Sequence, residues 1–214
     1  MLGVAGTLCE RPWPGPESLP EFVEEHRGLI VAQSLSFVFS AVVLLIFVSS
    51  LHGVLADSAL PARIAFGAGM VGYGAKILGQ APQLALTMMP GELLQPQTAA
   101  LLDALGFALL TLANAPIALM FAAIGFAVLR TSVLPTWLGW FAAVAAVSAT
   151  VLALSGSFPS GLLDPQGWLS YILYPISVVW IVTASVALLR SRAPDPAVPT
   201  AASAAAGSPG DSSG

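Results

Sequence analysis

Charged side chains are scarce in this chain of 214 residues: they make up 8% of the sequence, against 57% hydrophobic residues. Soluble domains carry about 25% charged residues, so this chain has too little polar surface to cover a water-facing fold of its length. Seven basic residues stand against 11 acidic ones, which gives a formal net charge of −4 and provides no basic patch for nucleic acid. The composition therefore predicts a polytopic membrane protein that does not bind nucleic acid.

Cysteine, histidine and lysine are nearly absent as well. The whole chain contains one cysteine (Cys9), two histidines (His26 and His52) and one lysine (Lys76). A single thiol forms no disulfide framework, and neither histidine has a second metal-binding side chain three or four residues further on. The sequence also lacks a nucleophile elbow, paired intramembrane carboxylates and a metal-binding His-Glu helix. We therefore expect no metal site, no cofactor and no enzymatic activity.

Apolar runs of helical length dominate the rest of the chain. About 20 residues of helix span a hydrocarbon core of about 30 Å, and in lipid each run must satisfy its own backbone hydrogen bonds. We predict an all-α polytopic membrane helix bundle with about five transmembrane helices. The predicted spans cover residues 29–51, 64–89, 104–129, 137–154 and 168–189.

Polar segments flank this bundle, which we place at residues 29–190. Residues 1–28 form a proline-rich tail, in which the spacing of Ser18 and Glu21 predicts a helix that begins near Leu19 and runs into the first span. Residues 191–214 are mostly Pro, Ala, Ser and Gly with almost no large apolar side chain, which predicts a disordered tail.

Arginine residues near the span ends predict the orientation. Four of them fall on one side of the five-span threading and two on the other, so the positive-inside rule places the N-terminus outside and the C-terminus in the cytoplasm. The larger group is Arg63, Arg130, Arg190 and Arg192, and the smaller group is Arg11 and Arg27.

Small residues form one stripe of the second predicted span. They recur at alternating steps of three and four residues, and such a stripe lets another membrane helix approach closely. We expect this stripe to pack against a neighbouring helix, and an antiparallel third span would bring Asn114 to the depth of Lys76. The stripe consists of Ala65, Ala68, Gly72, Ala75, Gly79 and Pro82.

Polar side chains form the adjoining stripe and a candidate polar pocket. An unpaired charge deep in the bilayer costs about 3 kcal/mol or more, so we predict that Lys76 points into the bundle, towards Asn114 and the Leu112 carbonyl group that Pro116 frees. Two interpretations remain open: a pocket for a ligand, proton or ion, or interhelical hydrogen bonds worth about 1 kcal/mol each. The candidate residues are Tyr73, Lys76, Gln80, Gln83 and Asn114, with Ser40, Ser177 and Trp180 at similar depth.

Two short motifs carry a resemblance to known proteins. The first is Glu-Phe-Val-Glu-Glu-His-Arg at residues 21–27, and the second is Arg130 followed by Leu-Pro-Thr-Trp-Leu-Gly-Trp at residues 134–140. These motifs and the layout of the spans resemble small actinobacterial integral membrane proteins of a domain-of-unknown-function class. The resemblance implies a multi-pass protein of a bacterial plasma membrane and supplies no catalytic or binding residues.

The function expected from these observations is that of a structural or accessory membrane protein. Its expected partners are the lipid bilayer and either a second copy of the chain or another membrane protein. The alternative is a small transporter or ligand-binding membrane protein that uses the polar pocket around Lys76.

Overall fold

The computed structural model describes residues 17–55, 58–158 and 168–191. These residues form an all-α bundle, as the apolar runs predict, and no strand occurs among them. The expected structure of residues 1–16 and 192–214 falls outside these ranges. The helices are α1 (Leu19–Val54), α2 (Ala59–Leu78), α3 (Ala81–Met88), α4 (Pro96–Leu112), α5 (Asn114–Thr131), α6 (Thr136–Ser155) and α7 (Trp168–Ser191).

Four helical segments are long and apolar enough to cross a membrane. They are α1, the stretch Pro96–Thr131 formed by α4 and α5, α6, and Trp168–Arg190 of α7. The second predicted span does not belong to this set, because α2 contains Arg63, Lys76 and several glycines. Helix α2 packs against α1 and α5.

The second predicted span, residues 64–89, is not one continuous helix. It divides at Gly79 and Gln80 into α2 and α3. Pro82 explains the break, because its ring nitrogen has no hydrogen to donate to the Leu78 carbonyl group and its ring would clash there. Proline is tolerated in the first turn of a helix, so α3 begins immediately before it, at Ala81.

Helix α1 begins at Leu19, as predicted, but it bends at His26, where φ is −110° and ψ is 16°. The turns before the bend bury Leu19 and Val23 against a small cluster that includes Leu86 of α3 and Ala99 of α4. The first turns of α1 therefore pack on the ends of two other helices, and the bend redirects the chain into its long apolar segment.

The main core surrounds α5, which lies between α2 and α6. Met120, Phe121, Ile124 and Val128 on this helix have no exposed surface. Helix α7 packs on α6, and the Nε1–H group of buried Trp180 donates a hydrogen bond of 2.9 Å to the Leu138 carbonyl oxygen. This arrangement fixes α7 next to the face of α2 that carries the polar stripe.

Candidate functional site

The small-residue stripe of α2 contacts the predicted third span, as expected. A methyl group added at Gly72 would lie 2.6 Å from Ile117 Cγ1 and 3.3 Å from the Ala113 carbonyl oxygen. One added at Gly79 would lie 2.8 Å from a methyl carbon of Leu110. Gly72 lies near Ile117, whereas Gly79, further along the chain, lies near the earlier residue Leu110, so the two segments run antiparallel. This close approach places the neighbouring polar stripe beside Asn114.

A cavity of about 50 Å³ lies where α1, α2, α5, α6 and α7 meet. A single water molecule needs about 10–15 Å³ measured in this way, so the cavity has room for a small polar molecule or several waters. Three of the five candidate residues line it, together with two polar residues of α7. The polar lining residues are Tyr73, Lys76, Asn114, Tyr174 and Ser177.

Lys76 faces this cavity, as the sequence predicts, but its contact differs from the expected one. Its Nζ atom lies 5.2 Å from the centre of the Tyr174 ring, within the range of a cation–π interaction. In residues 17–55, 58–158 and 168–191, the Lys76 side chain takes part in no hydrogen bond or ion pair. The ammonium group therefore rests on an aromatic face and retains its three donors.

Asn114 shares the cavity with Lys76, but it does not hold the ammonium group. Its Nδ2 atom donates to the Leu110 carbonyl oxygen, 3.4 Å away in the preceding turn. The predicted use of the Leu112 carbonyl group by Lys76 is not observed either. Asn114 therefore contributes to the wall of the cavity and is not the partner of the charge.

Gln80 and Gln83 do not line the cavity. Gln83 lies near α1, where the Ser34 hydroxyl group donates to its Oε1 atom at 3.3 Å. Gln80 is 2% exposed, and its Oε1 atom has no hydrogen-bond partner in the described part of the chain. Both glutamines lie beyond Gly79, where α2 ends, whereas Tyr73 and Lys76 belong to α2 itself.

Tyr174, whose ring centre lies 5.2 Å from the Lys76 Nζ atom, is not among the residues predicted from the sequence. Ser177 and Trp180 of the last helix were predicted to lie at a similar depth, and of these Ser177 lines the cavity. Tyr174 precedes Pro175 inside α7, and a tyrosine next to a proline within an apolar helix was the available signal. Trp180 is committed elsewhere, to Leu138 of α6.

Among the described residues, no acidic group lines this cavity. The described ranges also contain no cluster of three or more His, Cys, Asp or Glu side chains that could hold a metal ion. His52 is occupied locally, with its Nδ1 atom 3.2 Å from the Ala62 carbonyl oxygen and its ring near that of Phe66. The cavity thus combines one cation, two phenols, a hydroxyl group and an amide.

Comparison of the chain with protein-family models, with curated proteins and with solved structures found no match.

Proposed function

We propose that this chain is an integral membrane protein that binds a small molecule in the cavity around Lys76. The observation that carries the proposal is the position of the Lys76 ammonium group, which faces the cavity and contacts the Tyr174 ring. This is the ligand-binding alternative expected from the sequence, with Tyr174 and Ser177 added and the two glutamines removed.

The contacts of Lys76 favour a binding site over interhelical hydrogen bonding. If the role of the lysine were to form interhelical hydrogen bonds, its N–H groups would donate to carbonyl or side-chain oxygens of adjacent helices. A single cation–π contact contributes about 0.5–2 kcal/mol, less than the cost of about 3 kcal/mol or more for a charge deep in a bilayer. A bound molecule or hydrating water in the cavity would supply the missing interactions.

Access to the cavity can be tested by chemical modification of Lys76, the only lysine in the chain. We expect methyl acetimidate, a small amine reagent, to modify Lys76 in the folded protein, as measured by peptide mass spectrometry. Leu44 lines the cavity and is half-buried, so Leu44→Trp should fill the space and slow the modification about tenfold or more, which corresponds to about 1.4 kcal/mol in the barrier.

Val43→Trp is the matched control, because Val43 is adjacent in α1 but 62% exposed. It adds the same bulk outside the cavity and should leave the rate unchanged. An unreactive Lys76 in the natural chain, or equal rates in both variants, would contradict a cavity that admits small molecules.

A partner-binding role, the function first expected from the sequence, is a second candidate that one surface favours. On the outer face of α2, methyl groups added at Gly67 or Gly74 would meet no atom within 4 Å. Large apolar residues flank both glycines at steps of three and four, and this pattern lets a second membrane helix approach closely. The outer face comprises Leu60, Ile64, Gly67, Val71, Gly74 and Leu78.

Cross-linking tests whether this face binds a second copy of the chain. In a Cys9→Ser background, Val71→Cys should form a disulfide-linked dimer in membranes, since Val71 is 63% exposed at the centre of the face. Adding Gly67→Leu should reduce the dimer severalfold, because the bulk separates the helices. Leu101→Cys, 68% exposed on α4, should not cross-link. If neither Val71→Cys nor Leu101→Cys forms a disulfide-linked dimer, this face does not bind a second copy of the chain.

We further propose that the protein resides in a bacterial plasma membrane with its N-terminus outside. If the second predicted span also crosses the membrane, the distribution of arginines in the five-span threading supports this orientation. The resemblance of residues 21–27 and 134–140 to actinobacterial membrane proteins supports the location. The proposal includes no catalytic step and no cofactor.

A further inference from the structure

We infer that the ligand of the Lys76 cavity is an aliphatic monocarboxylate, with its carboxylate group on Lys76 and its hydrocarbon chain against the apolar wall. The inference rests on the proposed function, since it names the class of molecule that the same cavity binds. It follows from the hydrogen-bonding inventory, the charge and the apolar surface of the lining.

Each polar side chain of the lining can donate a hydrogen bond, although the hydroxyl groups and the Asn114 amide can also accept one. The Lys76 ammonium group can only donate, and the hydroxyl groups of Tyr73, Tyr174 and Ser177 can each donate one hydrogen. An ionised carboxylate only accepts, through two oxygens with about four lone-pair sites. Ligand and lining are therefore complementary.

The Ser177 hydroxyl group is free to serve the cavity. Elsewhere in α7, the hydroxyl groups of Thr183 and Ser185 donate to the carbonyl oxygens of Val179 and Ile181, each at 2.8 Å. Hydroxyl groups in helices commonly form such bonds to the preceding turn. Across the described ranges Ser177 forms none, so its donor is available to a ligand.

Charge balance selects a monovalent anion. In the part of the chain that the structure describes, Lys76 is the single cation of the lining, and no Asp or Glu side chain lines the cavity to neutralise it. An amine ligand would be repelled by Lys76, and a divalent anion would keep an uncompensated charge in a low-dielectric site. A carboxylate with one negative charge matches the single ammonium group.

The remaining wall is apolar and accounts for the aliphatic chain. Six hydrophobic residues from α1, α5, α6 and α7 line the cavity, and they would bury methylene groups but offer no polar atom beyond the backbone. A volume of about 50 Å³ limits the enclosed part to the carboxylate and a few carbons. These residues are Leu44, Ile117, Ala149, Leu152, Val178 and Ile181.

The sole lysine makes this inference directly measurable. Incorporation of [¹⁵Nζ]lysine gives one side-chain nitrogen signal from the full-length protein in lipid nanodiscs. We expect butyrate to shift this signal saturably, whereas butyramide and butylamine at equal concentrations should not. Oleate is added in the lipid, so a saturable shift with oleate indicates a ligand that enters from the bilayer, whereas a shift with butyrate indicates one that enters from water. A saturable shift with either carboxylate supports the inference.

Variants of Lys76 test whether its positive charge determines carboxylate binding. By calorimetry, Lys76→Met should weaken carboxylate binding about tenfold to a hundredfold, the usual effect of losing a hydrogen bond to a charged group, and Lys76→Arg should retain most of the affinity. Arg130→Met is the matched control, since Arg130 also lies over an aromatic ring, that of Phe126 at 4.6 Å, but does not line the cavity.

Two results would overturn the inference. The first is butyramide binding as tightly as butyrate with a shift of the lysine signal, in which case the cavity binds a ligand of another class and the proposed function remains. The second is the absence of binding by every carboxylate. In that case the acetimidate reaction separates the two failures, because an accessible Lys76 rejects only the carboxylate and an inaccessible one rejects the proposed function as well.

Discussion

Replacing Trp180 by alanine is expected to lower the free energy of unfolding by about 3–5 kcal/mol, the usual cost of removing a large buried aromatic side chain. Trp180 has no exposed surface. Its ring makes edge-on contacts with Phe121 at 5.2 Å and Phe47 at 6.3 Å between ring centres. It therefore joins α1 and α5 to α7, and its hydrogen bond to Leu138 joins α7 to α6.

Two further variants separate the contributions of the Trp180 hydrogen bond and of its buried ring to stability. Trp180→Phe keeps most of the ring contacts but removes the Nε1–H donor, so it should cost about 1 kcal/mol for the hydrogen bond plus a smaller packing loss. Trp140→Ala is the control, since Trp140 is 65% exposed, and it should change stability by about 0.5 kcal/mol or less. Reversible unfolding in mixed micelles measures all three. Equal effects of Trp180→Ala and Trp140→Ala would show that Trp180 does not hold the helices together.

The fold class follows from the sequence because a membrane helix needs only a long apolar run, and such runs are visible without tertiary information. Four of the five predicted spans correspond to helical segments apolar enough to cross a membrane. The second did not follow the prediction, since Pro82 stops α2 at Leu78 and starts α3. Pro82 itself indicated a break in the helix, but the apolar residues on both sides of it led to the prediction of one continuous span.

The candidate site was predictable only as far as one helix could specify it. The stripe on α2 placed Tyr73 and Lys76 on the cavity wall, and the antiparallel third span added Asn114. Gln80 and Gln83, which follow the end of α2, do not line the cavity. Tyr174 was missed because the rotation of α7 about its own axis is set by packing, above all by Trp180 against α6, and no periodicity within α7 encodes that rotation.

A close contact between α5 and α6 was only half visible in the sequence. Gly125 and Gly139 lie on different predicted spans, and Gly139 begins a run of small residues spaced as regularly as that of α2, followed by Ala142, Ala146, Ala149, Ala153 and Gly156. Only the pairing of the two helices shows that the glycines face each other. Their backbones approach so closely that a methyl group at Gly125 would lie 2.9 Å from the Gly139 carbonyl oxygen.

We expect Gly125→Ala to lower the free energy of unfolding by about 1–3 kcal/mol, the usual cost of overpacking, because the obstructing atom belongs to the backbone and cannot rotate away. Gly139→Ala should cost less, since its nearest obstacle is the flexible side chain of Leu129, at 2.9 Å. Gly28→Ala, which meets no atom within 4 Å, should be neutral or stabilising by up to about 1 kcal/mol through helix propensity. Unfolding in mixed micelles gives the order directly. If Gly125→Ala were as harmless as Gly28→Ala, the tight α5–α6 contact would be wrong.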